Sequence, residues 1–222
     1  VSENTASNVG GGLFIESSAT VGLTSCTVSE NTVSNTGYDA YGGGLYIGDS
    51  ATVELISCTI SGNTAGAADD FAINQGIHNY GGGLCIADRW TVVTMHLCTV
   101  SGNTAIADYS EGGGLDIRTL ATVEMTWCVV SENVGTRGGG LNIYDEAKLT
   151  MTSCTVAENT AAEDGGGLYI CCHATVEMIS CTVSGNGANS GGGTHLWGYS
   201  GTLVLVGCTY IGNSASSGGD IY

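Results

Sequence analysis

The chain has 222 residues with a net charge of −17, 37 glycines, no proline and only four lysines and arginines. Because displacing the counterions of a nucleic acid requires a cluster of basic side chains, we exclude nucleic acid as a partner. No apolar run approaches the roughly 20 residues of a transmembrane helix, so we predict that the chain does not span a membrane. The ten cysteines would suggest a secreted disulfide framework, but they follow a repeat instead.

One sequence frame recurs along the whole chain. The stretch 42–64, GGGLYIGDSATVELISCTISGNT, returns at 165–186 as GGGLYICCHATVEMISCTVSGN. In each copy a glycine triplet is followed 16 or 17 residues later by a cysteine and, five residues further on, by an asparagine. Only the segment between that asparagine and the next triplet varies in length, which is typical of a solenoid whose insertions leave at one corner.

Each coil is predicted to contain three short strands, which follow one another in chain order. The first is GLYI at 44–47, the second lies in ATVELIS at 51–57 with Val53 and Leu55 facing inward, and the third is CTIS at 58–61. The period of two, the β-branched residues and the absence of a helical pattern indicate an all-β protein. We predict a single-stranded, right-handed parallel β-helix (β-solenoid) of about seven coils with three short strands per coil. Residues 1–222 form one domain in this prediction.

Two columns of identical residues should stack along the axis of the rod. The asparagine amides are expected to hydrogen-bond turn carbonyls and the next asparagine along the column. The cysteine side chains run parallel instead of converging, so we interpret them as small buried hydrophobes, with their oxidation state left open. The predicted asparagine ladder is Asn31, Asn63, Asn103, Asn133, Asn159, Asn186 and Asn213, and the predicted cysteine ladder is Cys26, Cys58, Cys98, Cys128, Cys154, Cys181 and Cys208.

Three consecutive coils carry longer segments at the variable corner, at 32–41, 64–80 and 104–111. Because this corner stacks along the axis, we expect the three insert loops to form one patch of aromatic and acidic side chains. Such a patch suits contact with a protein or a glycan. The alternative is that the loops are tolerated insertions that cover the edge of the rod. The predicted partner-binding residues are Tyr38, Asp39, Tyr41, Asp69, Asp70, Phe71, Tyr80, Asp108, Tyr109 and Glu111.

A second hypothesis is a polysaccharide-active enzyme of the pectin-lyase-like fold, because lyases and hydrolases use this architecture. A hydrolase needs two carboxylates roughly 5–9.5 Å apart. Asp116 has Asn142, not another acid, on the next coil, so we predict no catalytic residues. The outward column that would line a groove, with Arg118 near it, contains Tyr46, Cys85, Asp116, Asn142, Tyr169 and His195.

A third hypothesis is ice binding, because outward Thr59 and Ser61 recur in other coils as a hydroxyl ladder. Val129, Ala157 and Ile211 interrupt that ladder, and threonine is also an ordinary residue of exposed strands.

No cofactor and no metal site are predicted. The CCH run at 171–173 lacks a second Cys/His pair at the spacing of a zinc site. Calcium binding through the acidic loops remains an open alternative, although the loops contain no D-x-D pattern.

The repeat resembles that of the chlamydial polymorphic outer-membrane proteins and related bacterial surface proteins, which carry GGA[ILV] and FxxN motifs on a β-helical passenger. Here Val or Ile replaces the Phe and Gly replaces the Ala. The resemblance implies an extracellular, cell-surface or adhesin-like protein and implies no catalytic residues. GGGL at 42–45, 81–84, 112–115, 138–141 and 165–168 is similar to the first motif, and VSEN at 28–31, ISGN at 60–63 and VSGN at 100–103 to the second.

The chain begins and ends inside a coil, without an amphipathic helix or a polar cap in the sequence. Open coil ends expose core and strand edges, so we expect the chain either to be one segment of a longer passenger or to stack head-to-tail into a fibre, and we favour the fibre. We therefore predict a non-enzymatic structural or adhesive β-solenoid, extracellular or on a cell surface. Its expected partners are further copies of itself and a host or cell-surface protein or glycan.

Overall fold

The computed structural model describes residues 1–34, 38–66, 78–105, 109–198 and 201–222. Within these residues all strands pair in parallel with strands of neighbouring coils, and no helix occurs. The chain winds from one sheet to the next and returns to the first sheet one coil further along. The predicted fold class, a right-handed parallel β-helix, is confirmed.

Three sheets of seven strands correspond to the three strands predicted in each coil. Sheet I consists of Leu13–Ile15, Leu45–Ile47, Leu84–Ile86, Leu115–Ile117, Leu141–Ile143, Leu168–Cys171 and Thr194–Trp197. Sheet II consists of Thr20–Thr24, Thr52–Ile56, Val92–His96, Thr122–Thr126, Lys148–Thr152, Thr175–Ile179 and Thr202–Val206. Sheet III consists of Thr27–Ser29, Thr59–Ser61, Thr99–Ser101, Val129–Ser131, Thr155–Ala157, Thr182–Ser184 and Thr209–Ile211.

A fourth sheet, which the sequence did not predict, closes the coil between sheet III and the next sheet I. The strand Val134–Arg137 pairs with Thr104–Ala105 at one end and with Tyr109–Glu111 at the other, so both ends of the predicted insert loop 104–111 are strands of this sheet. The insert loops therefore leave from the middle of this sheet. Sheet IV consists of Thr5–Ala6, Thr32–Val33, Ala40–Tyr41, Thr64–Ala65, His78–Tyr80, Thr104–Ala105, Tyr109–Glu111, Val134–Arg137, Thr160–Asp164, Gly187–Ser190 and Ser214–Ser217.

The glycine triplet makes the sharp turn from sheet IV into sheet I. Gly112 has a φ of +67°, a conformation that favours glycine. A Cβ atom on Gly114 would lie 2.6 Å from the Gly140 carbonyl oxygen and 3.0 Å from the Asn133 side chain. The turn therefore packs directly against the next coil and the asparagine ladder, where only glycine fits.

The core is a continuous column of inward-facing side chains. Leu84 pairs in register with Leu45 on one side and Leu115 on the other, and all three are fully buried. Val53 and Leu55 are buried, while Thr52 and Glu54, which alternate with them along the strand, are exposed, as predicted. Each coil is thus covered by its neighbours, as in other solenoids.

The asparagine side chains join successive coils inside the rod. Asn63 donates from Nδ2 to the Val28 carbonyl at 3.0 Å and to Asn103 Oδ1 at 2.9 Å. Asn103 repeats this pattern toward the Ile60 carbonyl and Asn133 Oδ1, at 3.0 and 2.9 Å. The amides thus satisfy backbone groups at the turn that precedes sheet IV.

The cysteines of the ladder are free thiols among the core side chains. Cys128 Sγ donates to the Thr126 carbonyl at 3.4 Å and to the Met95 carbonyl of the preceding coil at 3.5 Å. Cys154 Sγ in turn accepts from the Cys128 backbone N–H at 3.4 Å. The five central thiols are buried, whereas Cys26 and Cys208 in the outer coils are half-buried.

Candidate functional site

The two surfaces that the sequence predicted separately meet on one side of the rod. Residues at the end of sheet IV, just before the glycine triplets, lie beside the outward-facing residues of sheet I, just after them. The corner column is the register series Tyr41, Tyr80, Glu111, Arg137, Asp164 and Ser190 of sheet IV. The outer column is the register series Phe14, Tyr46, Cys85, Asp116, Asn142, Tyr169 and His195 of sheet I.

Six aromatic rings form a continuous ladder across the first four coils. Phe14 stacks on Tyr46 with ring centroids 5.3 Å apart, and Tyr41 stacks on Tyr80 at 5.0 Å. Tyr109 is 47% exposed and Phe14 is 50% exposed, so both ends of the ladder face solvent. Stacked rings of this kind offer a rigid binding surface with little conformational entropy to lose. The members of the ring ladder, in order of contact, are Phe14, Tyr46, Tyr41, Tyr80, His78 and Tyr109.

A cavity of about 200 Å³ opens at the first rungs of the ring ladder, lined by Val9, Phe14, Glu16, Tyr41 and Tyr46. The two tyrosine hydroxyls are fixed by carboxylates: Tyr41 donates to Asp39 Oδ2 and Tyr46 donates to Asp88 Oδ2, both at 3.2 Å. Burial, with the charge of Asp39, raises the pKa of Tyr41 to about 12. The phenols therefore stay protonated and oriented.

A buried ion-pair cluster lies next along the same side. Arg118 Nε donates to Asp116 Oδ2 at 2.6 Å, and Arg118 Nη2 donates to Glu111 Oε2 at 2.7 Å. The guanidinium carbon lies 3.6 Å from the ring centroid of Tyr80, in a cation–π contact. Asn142 Nδ2 donates to Asp116 Oδ1 at 2.6 Å. Arg118 thus joins a carboxylate of the corner column to one of the outer column.

The electrostatics of the cluster follow from its burial. Burial, and then the charge of Asp116, raise the pKa of Glu111, although Arg118 acts in the opposite direction. Burial lowers the pKa of Arg118, but the negative charges of Asp116 and then Glu111 outweigh it, so the pKa is raised overall. Burial, with Asp116 beside it, also raises the pKa of the Cys85 thiol. Cys85 therefore stays a neutral thiol, not a nucleophilic thiolate.

The outer column, which the enzyme hypothesis would need as a groove, is not open to solvent along its length. Cys85, Asp116 and Asn142 are fully buried, and Tyr169 and His195 are only 4% and 2% exposed. Arg118 contacts Asp116, and Glu111 of the corner column accepts a hydrogen bond from Asn142 at 3.5 Å. A substrate could not reach these residues without a rearrangement of the side chains that cover them.

Among the residues that the structure describes, four buried side-chain atoms along this side make no hydrogen bond of good geometry. They are Arg137 Nε, Asn142 Oδ1 and both ring nitrogens of His195. His195 Nδ1 lies 3.3 Å from Asp164 Oδ1, and the imidazole lies 5.0 Å from the ring of Tyr222. Arg137 Nε lies 3.7 Å from Asp164 Oδ2, so two of the four atoms face the Asp164 carboxylate.

The predicted partner-binding residues do not all share one surface. Tyr38 is 72% exposed, whereas Tyr80 and Glu111 are at most 9% exposed and lie within the wall of the rod. Asp39 Oδ1 accepts a hydrogen bond from the His78 backbone N–H at 2.8 Å, which joins two neighbouring coils. The predicted Asp69, Asp70, Phe71 and Asp108 lie outside the described residues.

Sequence reasoning missed Phe14, Glu16, His78 and Asp88. A signal for Phe14 was present, since GGLFI at 11–15 aligns with GGLYI at 43–47 and places Phe14 over Tyr46. His78 had no such signal, because it belongs to the variable segment.

The hydroxyl ladder of the third hypothesis is in register, with Thr59 over Thr99 and Ser61 over Ser101. It is interrupted on the same sheet by Val129, 37% exposed, and by Ile211, 60% exposed.

The part of the chain that the structure describes contains no group of three or more His, Cys, Asp or Glu residues placed to hold a metal ion. The described residues also include no helix of the length and hydropathy that a membrane crossing requires.

Comparison with known proteins gives one result that bears on the fold. The family model described as "Right handed beta helix region" matches residues 69–214, about two thirds of the chain. Neither the curated proteins nor the solved structures contain a significant match.

Proposed function

We propose that the chain, which belongs to the right-handed β-helix family, is a non-enzymatic structural and adhesive rod, extracellular or on a cell surface. The observation that carries the proposal is the ring ladder, which runs unbroken over four coils and reaches solvent at both ends. Its partner in this proposal is a glycan or protein of a cell surface.

The chemistry of the ring ladder suits such contact. Its rings are held by strands of sheets I and IV, so little freedom is lost when a partner packs on them. Tyr41 and Tyr46 are also fixed by hydrogen bonds to Asp39 and Asp88. Aromatic rings with acids around them are typical of surfaces that recognise proteins and sugars.

Binding of the purified chain to cells, and to immobilised glycans, tests this proposal. We expect the paired change Phe14→Ala and Tyr109→Ala to weaken binding at least tenfold, because both exposed ends of the ring ladder are removed. Trp127→Ala is the matched control, since Trp127 is 58% exposed at the turn between sheets II and III. Equal binding by the paired variant, the control and the unchanged chain would contradict the proposal.

We further propose that copies of the chain stack end to end through their terminal coils. Among the described residues, Thr20–Thr24 and Thr202–Val206 of sheet II each pair on one side only. Val206 and Ile211 in the last coil are 51% and 60% exposed. Light scattering and electron microscopy should show concentration-dependent rods that Ile211→Glu shortens and the mid-rod control Val129→Glu does not. Monomers at every concentration would exclude this assembly.

An enzyme acting on polysaccharides is the second candidate, and one observation favours it. The sequence placed no second acid near Asp116, but the structure brings Glu111 to the same guanidinium. Incubation with acidic polysaccharides followed by a reducing-end assay tests this candidate. Turnover of a polysaccharide that is abolished by Glu111→Gln would support the enzyme over the adhesive rod. If no polysaccharide is turned over, the role of the two carboxylates is structural.

A further inference from the structure

The cavity of about 200 Å³ at the first rungs of the ring ladder has walls that are mostly aromatic. The ring planes of Tyr41 and Tyr46 meet at 81°, with centroids 6.3 Å apart. Phe14 stacks on one face of Tyr46, with ring centroids 5.3 Å apart and planes 19° apart, so the two rings form one layered wall. Pockets for drug-sized ligands measure roughly 300–1,000 Å³, so this cavity suits one compact group.

The charge of the cavity is negative. Glu16 contributes a carboxylate to the lining, and none of the described residues that line the cavity is a lysine or an arginine. The carboxylates of Asp39 and Asp88 accept hydrogen bonds from the two phenols and add negative charge nearby. The whole chain carries a net charge of −17, so the field at this site attracts cations and repels anions.

The hydrogen-bonding capacity of the cavity is low. Both tyrosine hydroxyls already donate to carboxylates, so they are not free to donate to an anion or to a sugar. A phenol that donates to a carboxylate carries a more electron-rich ring, which strengthens the attraction between that ring and a cation. A ligand here must therefore be compact, positively charged and in little need of hydrogen-bond partners.

We propose that this cavity binds a quaternary ammonium group, of the kind carried by choline, against the wall formed by Phe14, Tyr41 and Tyr46, with Glu16 as the counter-charge. The methyl groups pack on the rings and need no acceptor, and the spread positive charge interacts with the ring faces and the carboxylate. This inference rests on the proposed function in one respect. It gives the chemical class of the partner, which would be a surface that displays quaternary ammonium groups.

Isothermal titration calorimetry with choline tests the inference, with 3,3-dimethylbutan-1-ol as the neutral compound of the same shape. We expect saturable binding of choline, at least tenfold weaker binding of the neutral compound, and competition by tetramethylammonium. Equal affinity for choline and the neutral compound, or no saturable binding of choline, would overturn the inference.

Substitutions locate the site. Tyr46→Leu should weaken choline binding by about 3- to 30-fold, and Glu16→Gln should weaken it and reduce its dependence on salt. Tyr46→Phe keeps the ring and should retain most of the affinity, which separates loss of the ring from loss of the fold. Trp127→Leu is the aromatic control and should bind choline as the unchanged chain does. Choline binding that survives both Tyr46→Leu and Glu16→Gln would place the site elsewhere and refute the inference.

The two proposals fail in different ways. If choline does not bind but the paired change Phe14→Ala and Tyr109→Ala still weakens adhesion to cells, the quaternary ammonium site is wrong and the adhesive function stands. If choline binds but that paired change leaves adhesion intact, the adhesive function of the ring ladder is wrong and the cavity stands.

Discussion

Substituting Asn133 by alanine tests how much of the rod's stability the asparagine ladder supplies. Asn133 Nδ2 donates to the Val100 carbonyl at 3.0 Å and to Asn159 Oδ1 at 2.9 Å. Its Oδ1 accepts from the backbone N–H and the Nδ2 of Asn103, both at 2.9 Å. The alanine variant loses all four hydrogen bonds.

The expected magnitude follows from the groups left behind. Asn159 Oδ1 keeps the backbone N–H of residue 133 at 3.0 Å. The Val100 carbonyl, the Asn103 backbone N–H and one amide N–H of Asn103 lose their partner inside the rod. At about 1–3 kcal/mol for each buried unpaired group, and with water entering part of the vacated space, we expect a loss of about 3–6 kcal/mol. That is a large part of the roughly 5–15 kcal/mol by which a typical domain is stable.

Urea denaturation followed by circular dichroism measures this loss as a fall in the free energy of unfolding. Asn189→Ala is the matched control, because Asn189 is exposed and makes a single side-chain hydrogen bond, to the Ala162 carbonyl at 2.8 Å. We expect the control to lose less than about 1 kcal/mol. A loss below about 1 kcal/mol for Asn133→Ala would refute the view that the ladder stabilises the rod.

Three further results are expected from the same denaturation assay. Gly114→Ala should destabilise the chain by about 2 kcal/mol or more, because its Cβ would lie 2.6 Å from a carbonyl oxygen. Gly22→Ala is the control and should be neutral, because no atom lies within 4 Å of its Cβ position. Equal effects of the two substitutions would contradict the prediction. The pKa of Glu111 is raised in the folded state, so its contribution to the free energy of unfolding is greatest below its ordinary pKa of 4.5 and is lost as pH rises through the folded pKa. Glu111→Gln should remove that decline in stability, and an unchanged pH profile would refute the expectation. Arg118→Ala should cost about 3–5 kcal/mol because Asp116 is left buried without its cation, and adding Asp116→Asn should recover part of the loss; no recovery would count against the ion pair as the cause.

The sequence repeat predicted the fold because the inward-facing residues occur at the same positions of every coil. Leu45 and Leu84 occupy the same place after the glycine triplet, and they are buried one over the other as expected. Sheet IV was not predicted because only its first residues, such as Thr64–Ala65 and Thr104–Ala105, repeat from coil to coil, whereas the rest follows or replaces a segment of variable length. Arg137 and Glu111 pair in register there but share neither polarity pattern nor shape.

The candidate site was predicted only in part, for a reason of geometry. Glu111 and Asp116 stand on either side of the triplet at 112–114, and the sequence analysis assigned them to different surfaces. The tight glycine turn folds the chain back so that the two carboxylates reach one guanidinium. The same turn lays the corner column over the outer column, which is why Asp116 is buried on a face that ordinarily meets water.

The hydrogen bonds of all four sheets point along the axis, from each coil to the next. A force spread evenly over the two end coils therefore loads all the bonds of a coil boundary together. A force applied at an insert loop acts differently, because it enters through strands as short as the two residues Thr64–Ala65. We therefore expect the rod to resist tension spread over its end coils and to open first at the short strands of sheet IV.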